Sequence, residues 1–170
     1  MKILAVAALL CALMALTPAA PAAEAEPEEA QAEDLMEVVK RDLQGWTRVG
    51  GRYFRYETRE LTWPEAEGNC RSLGGHLASV HSFYEYQLIQ GLITPSGNPE
   101  VWLGGSDALR EGVWEWTDGT TFQYANWCTG EPNNGGGKGQ DCLQMGYSHH
   151  KCWDDYDCGE RRPSVCARKA

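Results

Sequence analysis

Six cysteines between residues 70 and 166 constrain the fold of this 170-residue chain more than any other feature. In an oxidising compartment, an even set in a domain of this size indicates three disulfides, although the sequence alone leaves their pairing open. A zinc site is the alternative, but no Cys-x-x-Cys pair occurs and the histidines lack ligand spacing. A seventh cysteine, Cys11, lies in an apolar stretch near the start. The six cysteines are Cys70, Cys128, Cys142, Cys152, Cys158 and Cys166.

The amino terminus has the pattern of a secretory signal. Lys2 precedes an apolar stretch over residues 3–16, and small residues follow at positions 19–23. The stretch is shorter than the roughly 20 residues that a membrane-spanning helix needs, and no second long apolar run follows. We therefore predict a signal peptide over residues 1–22, no membrane span, and a secreted, extracellular protein.

Residues 23–41 are rich in alanine and glutamate and lack aromatic residues, so they can bury little apolar surface. We predict an acidic linker or propeptide here, followed by one domain over residues 42–170. The dibasic pair Lys40-Arg41 is either a processing site or a solvated segment end, and the sequence leaves this choice open.

The net charge of −9 comes partly from the acidic segment. The chain holds 24 acidic and 15 basic residues, and setting aside seven acids and three bases in residues 1–41 leaves a net charge of −5 for the domain. No basic stripe is present, so nucleic acid is not an expected partner, and Arg161 and Arg162 are expected to be solvated. No enzymatic activity is expected, because no Gly-x-Ser-x-Gly element occurs and the cysteines are assigned to disulfides.

Local patterns predict two helices early in the domain. The first begins after Thr62, a good N-cap, with Pro64 in its first turn and Glu65 at the capping-box position, and it ends at two glycines. The second is capped by Ser82, with Glu85 three residues further on, and extends to about residue 93.

Short strands are predicted around these helices, which together indicate an α+β fold. A polar loop over residues 126–140 carries one proline, three asparagines and five glycines, and loops of this length in compact domains are usually functional. The predicted strands cover residues 52–61, 76–80, 101–105, 113–116, 141–146, 151–155 and 164–168.

Several landmarks of the sequence, taken in their order and spacing over residues 42–170, resemble the C-type lectin-like domain. The chain is most similar to the fish group that contains nattectin-type lectins and type II antifreeze proteins. The resemblance implies a fold of two helices, short antiparallel sheets and a long calcium-binding loop. The landmarks are Gly45-Trp46, Thr62-Trp63, Cys70, residues 73–79, residues 101–105, Glu131-Pro132-Asn133, Cys142, Trp153-Asp154-Asp155, Cys158 and Cys166.

The resemblance also implies how the cysteines pair. Two pairs follow the family pattern, and the remaining two cysteines are left for each other. That third bond would brace the segment before the Glu-Pro-Asn motif against the segment that begins at Trp153. The implied pairs are Cys70–Cys166, Cys142–Cys158 and Cys128–Cys152.

A calcium site is implied at Glu131, Asn133, Gln140, Asp154 and Asp155, with a cis proline between the first two. Calcium prefers six to eight oxygen ligands, and this set offers carboxylate and amide oxygens. In the mannose-type pattern of the family, the position of Gln140 is normally Glu and that of Asp154 is normally Asn. The two departures compensate in charge, so three carboxylates remain and Ca²⁺ is the expected cofactor.

The same residues are expected to bind sugar hydroxyls. Each hydroxyl can use one lone pair for calcium, accept an amide N–H with the other, and donate its proton to a carboxylate. Glu131 with Asn133 offers one such pair, and Asp154 with Gln140 offers the second with donor and acceptor exchanged. The motif favours mannose, and the exchange leaves mannose only slightly ahead of galactose.

A second, auxiliary metal site is implied at Asp107, Glu111, Asn134 and Asp141. The alternative is that these are ordinary surface acids. The metal site is favoured because the oxygens of Asp107 and Glu111 bracket one turn and Asp141 adjoins the long loop.

The expected function is calcium-dependent carbohydrate binding by a secreted lectin, in the context of innate-immune glycan recognition. The alternatives are an ice-binding protein of the type II antifreeze group and a protein-binding lectin-like domain. Glycans or glycoconjugates are the expected partners. A homo-oligomer is left open, since weak single sugar sites gain avidity when linked.

Overall fold

The structure, a computed structural model, describes residues 45–97, 99–137 and 139–170. The predicted signal peptide, the linker and residues 42–44 lie outside the described residues. The described chain has the expected α+β fold, with two α-helices, eight strands and three disulfides. In chain order the elements are β1 (Thr47–Val49), β2 (Arg52–Leu61), α1 (Trp63–Ser72), β3 (His76–Leu77), α2 (Phe83–Ile93), β4 (Val101–Ser106), β5 (Glu115–Trp116), β6 (Cys142–Tyr147), β7 (Cys152–Tyr156) and β8 (Arg162–Lys169), with 3-10 turns at Thr94–Ser96 and Gly135–Gly137.

Helix α1 begins where the capping pattern predicts. The backbone N–H of Thr62 donates to the Glu65 carboxylate at 3.1 Å, as a capping box requires. One face of the helix turns inward, and Cys70 on that face is fully buried. Glu67 is buried as well, because its carboxylate accepts the backbone N–H of Leu77 at 2.9 Å and so ties α1 to β3. This buried acid was not expected from the apolar spacing.

Helix α2 also follows its prediction. The hydroxyl of Ser82 accepts the backbone N–H of Glu85 at 3.2 Å, which supplies a partner for one of the free N–H groups at the helix start. Tyr86, Ile89 and Ile93 are buried on the face that meets the sheet. The helix ends at Ile93, as predicted.

The strands form one sheet in the order β1-β2-β8-β4-β6-β7, with β3 paired to β8 and β5 paired to β4. All these pairs are antiparallel except β4 with β8, where Trp102 lies opposite Ser164 in a parallel pair. The expectation of antiparallel sheets is therefore correct for all but this pair. Strand β8 pairs with β2, β3 and β4, so it joins both halves of the sheet.

Strand boundaries differ from the sequence prediction, most clearly in four strands. β1 was not predicted, although the buried Thr47 and Val49 alternate with an exposed residue as a short edge strand should. β3 is shorter than predicted and ends at Leu77. The next residue makes one backbone hydrogen bond to each of two strands: the Ala78 N–H donates to the Val165 carbonyl of β8, and the Ala78 carbonyl accepts from the Gly104 N–H of β4. β5 has two residues, and β8 begins two residues earlier than predicted.

Aromatic rings pack around Trp153 at the centre of the molecule. Its ring centroid lies 5.7–6.1 Å from those of Trp116, Phe122, Tyr124 and Trp127, all in edge-on or steeply inclined arrangements. Trp153 is fully buried and Trp127 partly so. Packing is therefore the role of both tryptophans next to the long loop, and the cluster gives β7 a rigid base.

The three disulfides have the pairing that the family resemblance implied. One ties α1 to β8, one joins β6 to the turn after β7, and one joins the long loop to the start of β7. They are Cys70–Cys166, Cys142–Cys158 and Cys128–Cys152.

Among the described residues, no helix combines the length and the apolar character needed to cross a membrane.

Replacing both Cys70 and Cys166 by alanine should lower the free energy of unfolding the most, because this bond closes the longest loop, with a sequence separation of 96 residues. The chain-entropy relation gives about 4.7 kcal/mol for a loop of this length and about 3.5 kcal/mol for a loop of some 25 residues. The matched control is the double replacement of Cys128 and Cys152, separated by 24 residues. Chemical denaturation of both variants checks this order, and an equal or larger loss in the control would contradict it.

Candidate functional site

The long loop over residues 126–140 is fixed along β7. The Trp153 N–H donates to the Asn126 carbonyl at 2.8 Å, and the Cys128 N–H donates to the Trp153 carbonyl at 2.9 Å. The Cys128–Cys152 disulfide reinforces the same contact. The start of the loop is therefore held beside the strand that carries Asp154 and Asp155.

The middle of the loop is held by Asp155, a carboxylate that is 1% exposed. Its two oxygens accept the backbone N–H groups of Asn133 at 2.9 Å and Asn134 at 2.6 Å. The Glu131–Pro132 peptide bond is cis, as the resemblance implied. The Glu-Pro-Asn motif therefore lies directly against the end of β7.

Three carboxylates converge at this point. Ligand atoms of Glu131, Asp154 and Asp155 all lie within 4.8 Å of one another, and in the part of the chain that the structure describes this is the cluster with the composition of a metal site. Oε2 of Glu131 is buried without a hydrogen-bond partner. Burial, with the neighbouring negative charges of Asp154 and then Asp155, raises the pKa of Glu131 to about 7. Burial also raises the pKa of Asp154.

The two amide side chains of the predicted ligand set lie near one glycine. A Cβ atom placed on Gly135 would lie 2.6 Å from Oδ1 of Asn133 and 3.0 Å from Oε1 of Gln140. Both oxygens therefore face the same glycine, and a side chain at position 135 would collide with them. The backbone of Gln140 is fixed as well, because its N–H donates to the side-chain oxygen of Asn134 at 2.7 Å.

This donor set fits a hard divalent cation. Carboxylate and amide oxygens are the ligands that calcium prefers, and a cation would provide the buried oxygen of Glu131 with a partner. It would also relieve the mutual repulsion that holds a proton on the cluster near neutral pH. The residues present thus have the chemistry to hold calcium.

The residues of the predicted auxiliary site are only partly brought together. The Asn134 amide donates to the Glu111 carboxylate at 2.7 Å, and the Asp107 N–H donates to the Asp141 carbonyl at 3.2 Å. Oδ1 of Asp107 is buried and unpartnered, and burial raises the pKa of Asp107. Within the described residues these acids do not form a cluster as tight as that of the main site.

Two functional candidates were not evident in the sequence. Gln144 of β6 is 1% exposed, and its amide donates to Oδ2 of Asp154 at 2.6 Å. Arg162, expected to be solvated, instead bonds to Gln144, pairs with Glu100 at 3.3 Å and has a side chain only 13% exposed. That expectation was wrong because the guanidinium lies over the Tyr156 ring. The one available signal was a glutamine in an otherwise apolar strand, where an unpaired amide is costly.

Comparisons with known proteins identify the family of this chain. A family model of the Lectin C-type domain matches residues 59–168. A type-2 ice-structuring protein from Hemitripterus americanus is 40% identical over 165 residues, which cover 96% of this chain and 98% of that protein. The galactose-specific lectin nattectin from Thalassophryne nattereri is 35% identical over 127 residues, which cover 74% of this chain and 79% of that protein.

Solved structures give the same result. The crystal structure of a calcium-independent type II antifreeze protein is 41% identical and has a TM-score of 0.67, covering 74% of this chain and 92% of that one. The family model and these relatives belong to non-enzymatic protein families. Two helices, a shared sheet and three disulfides support the same assignment, and the chain belongs to the C-type lectin domain family.

Proposed function

We propose that this protein is a calcium-dependent carbohydrate-binding lectin. One observation carries the proposal: three carboxylates, those of Glu131, Asp154 and Asp155, are gathered within 4.8 Å of one another. Asn133 and Gln140, whose amide oxygens both face Gly135, are proposed to complete the ligand set. Such a concentration of negative charge is costly in a folded protein unless protons or a cation compensate it.

Calcium is the proposed cation because every available ligand is oxygen and no cysteine or histidine belongs to the set. Asp155 keeps free lone pairs after accepting two backbone N–H groups, since each carboxylate oxygen has two. Calcium would therefore bridge the loop residue Glu131 to the strand residues Asp154 and Asp155. We propose a weaker auxiliary site formed by Asp107, Glu111, Asn134 and Asp141.

The proposed ligand is a sugar with two neighbouring ring hydroxyls. Each hydroxyl would bind calcium, accept from an amide and donate to a carboxylate. Glu131 with Asn133 and Asp154 with Gln140 supply the two amide–carboxylate pairs. The Glu-Pro-Asn motif places mannose slightly ahead, while the name of nattectin, a galactose-specific relative, makes galactose the direct competitor.

Ice binding is the second candidate function. The type-2 ice-structuring relative aligns over nearly its whole length, and the similar solved structure is a calcium-independent antifreeze protein. A shared fold does not determine which activity the site carries. We place either activity outside the cell, because three disulfides persist only in an oxidising compartment.

Affinity chromatography and thermal hysteresis separate the two candidates. A lectin should be retained on mannose or galactose resin in the presence of calcium, be released by a chelator, and cause no thermal hysteresis. An ice-binding protein should give the reverse pattern. Hysteresis without retention on either resin would overturn the lectin proposal in favour of the second candidate. The absence of both retention and hysteresis would overturn both candidates.

Replacing Glu131 by glutamine should weaken calcium binding by about 10- to 100-fold, because the cluster loses one of its three charges and a ligand of higher basicity. Glu60→Gln, which removes one negative charge from an exposed position on β2, is the matched control and should leave the affinity unchanged. Isothermal titration calorimetry measures both. Equal effects of the two variants would indicate that net charge, and not this site, governs binding.

The affinity for calcium should fall about tenfold between pH 8 and pH 6, because a Glu131 carboxyl with a pKa of about 7 must lose its proton to bind the cation. The same pKa lies above the ordinary value of 4.5, so the native calcium-free protein binds more protons than the unfolded chain. Its stability should therefore decrease as the pH rises from 4.5 through 7.

Calorimetric titrations and denaturation curves across this pH range check both slopes. Glu131→Gln is the control for each, because it has no carboxyl to titrate at this position. Unchanged slopes in that variant would assign the pH dependence to another group.

A further inference from the structure

A row of buried polar side chains crosses three strands behind the calcium-site cluster. In the sheet register, Gln144 of β6 lies opposite Asp154 of β7 on one side and Trp102 of β4 on the other. Arg162, at the start of β8, donates its Nε–H to Oε1 of Gln144, and the Gln144 amide donates to Oδ2 of Asp154. The row therefore links β8 to the proposed calcium ligand.

The direction of every hydrogen bond in this row is fixed by chemistry. Arginine stays protonated in proteins and can only donate, so the Gln144 atom that faces Arg162 has to be the amide oxygen. The amide nitrogen of Gln144 then faces Asp154, and the atom it meets has to be an acceptor. The orientation of Gln144 is consequently set by Arg162 and needs no contribution from the calcium site.

Arg162 is itself held in place from several sides. Its guanidinium lies 4.3 Å from the centroid of the Tyr156 ring and 5.3 Å from that of Trp102, and it pairs with Glu100 at 3.3 Å. A guanidinium stacked on aromatic rings and paired with a carboxylate has little freedom to turn. The donor that fixes Gln144 is thus anchored by Tyr156, Trp102 and Glu100, none of which belongs to the proposed ligand set.

We propose that Gln144 and Arg162 are positioning residues that require a carboxylate at position 154 and so set the donor–acceptor polarity of the binding site. This inference rests on the proposed calcium site. A carboxylate can accept from Gln144 with Oδ2 and still present Oδ1, also an acceptor, to the cation. An asparagine at the same place would have one oxygen, which accepts from Gln144 and keeps a single lone pair, and its NH₂ group, which cannot ligate a cation, would replace the second carboxylate oxygen.

Gln140 and Asp154, the two departures from the mannose-type pattern, then have one physical cause. With Gln144 behind it, position 154 has to carry the negative charge, and position 140 can be the neutral Gln140 while three carboxylates are kept. The sugar hydroxyl beside Asp154 accordingly meets a carboxylate from β7 and an amide from the loop. The strand residues Gln144 and Arg162, and not the loop, thus determine which member of this pair is the carboxylate and which is the amide.

A charge-conserving exchange tests the proposal. Asp154→Asn should bind calcium at least tenfold more weakly than the wild type, since a ligand oxygen is turned away. Adding Gln144→Glu should recover at least tenfold of the loss. The carboxylate introduced at position 144 accepts from Arg162 and from the NH₂ group introduced at position 154, which returns the amide oxygen at position 154 to the cation. Gln144→Glu alone is the control for added charge and should bind no more tightly than the wild type, because two carboxylates would then face each other.

A second variant reaches the same state by removing the positive charge of Arg162 instead of adding a negative charge at position 144. In Asp154→Asn combined with Arg162→Met, no donor holds the Gln144 oxygen, so the Gln144 amide can turn over and accept from the NH₂ group at position 154. Calcium affinity should recover relative to Asp154→Asn alone, although Arg162 bonds to Gln144 and Glu100, which are not proposed ligands. Circular dichroism and thermal unfolding of the calcium-free variants establish that each is folded.

Calorimetric calcium titration of the wild type and the four variants completes a double-mutant cycle. A positive coupling between positions 144 and 154 supports the proposal. If the wild type binds calcium and neither combination recovers affinity, the positioning role is overturned while the calcium site stands. If the wild type does not bind calcium, the proposed function fails and this inference fails with it.

Discussion

The carboxylate of Asp155 is the constraint on which the binding site depends. It accepts two consecutive backbone N–H groups from the long loop, and these charge-assisted bonds lie in a buried setting where they are strong. Without them, the Glu-Pro-Asn motif would have to be held by a loop rich in glycine, whose ordering costs the most backbone entropy. The two bonds place the Glu-Pro-Asn motif beside Asp154 and Asp155.

That placement concentrates charge that the fold alone does not neutralise. Glu131 and Asp154 have raised pKa values because burial and neighbouring acids oppose their ionisation. The aromatic packing of Trp153 and the Cys128–Cys152 bond prevent the cluster from relaxing apart. Binding of the proposed cation would relieve this repulsion, so part of the free energy that the repulsion costs would contribute to the affinity for calcium.

Features that depend on residues close together in the sequence could be predicted, and features that depend on contacts between distant segments could not. Both helices were predictable because the caps at Thr62 and Ser82 act over three residues. The pairing of the cysteines was accessible only through the family resemblance, since spacing does not define which strands meet. The role of Gln144 was not accessible at all, because it depends on the register of three strands and on Arg162, which lies 18 residues away in the chain.

The negative charge of the site is distributed unequally between the loop and β7. The mannose-type pattern would place two of the three carboxylates on the loop, at positions 131 and 140, whereas here Asp154 and Asp155 both lie on β7 and Glu131 alone lies on the loop. Two charges on a buried strand would hold the proposed cation from the scaffold side, and the loop would contribute one charge and two neutral amides. Changes in the loop could then alter which hydroxyls fit while the scaffold retained the cation. One fold can therefore serve relatives with different ligands, and the proposed positioning residues behind the site would decide its polarity.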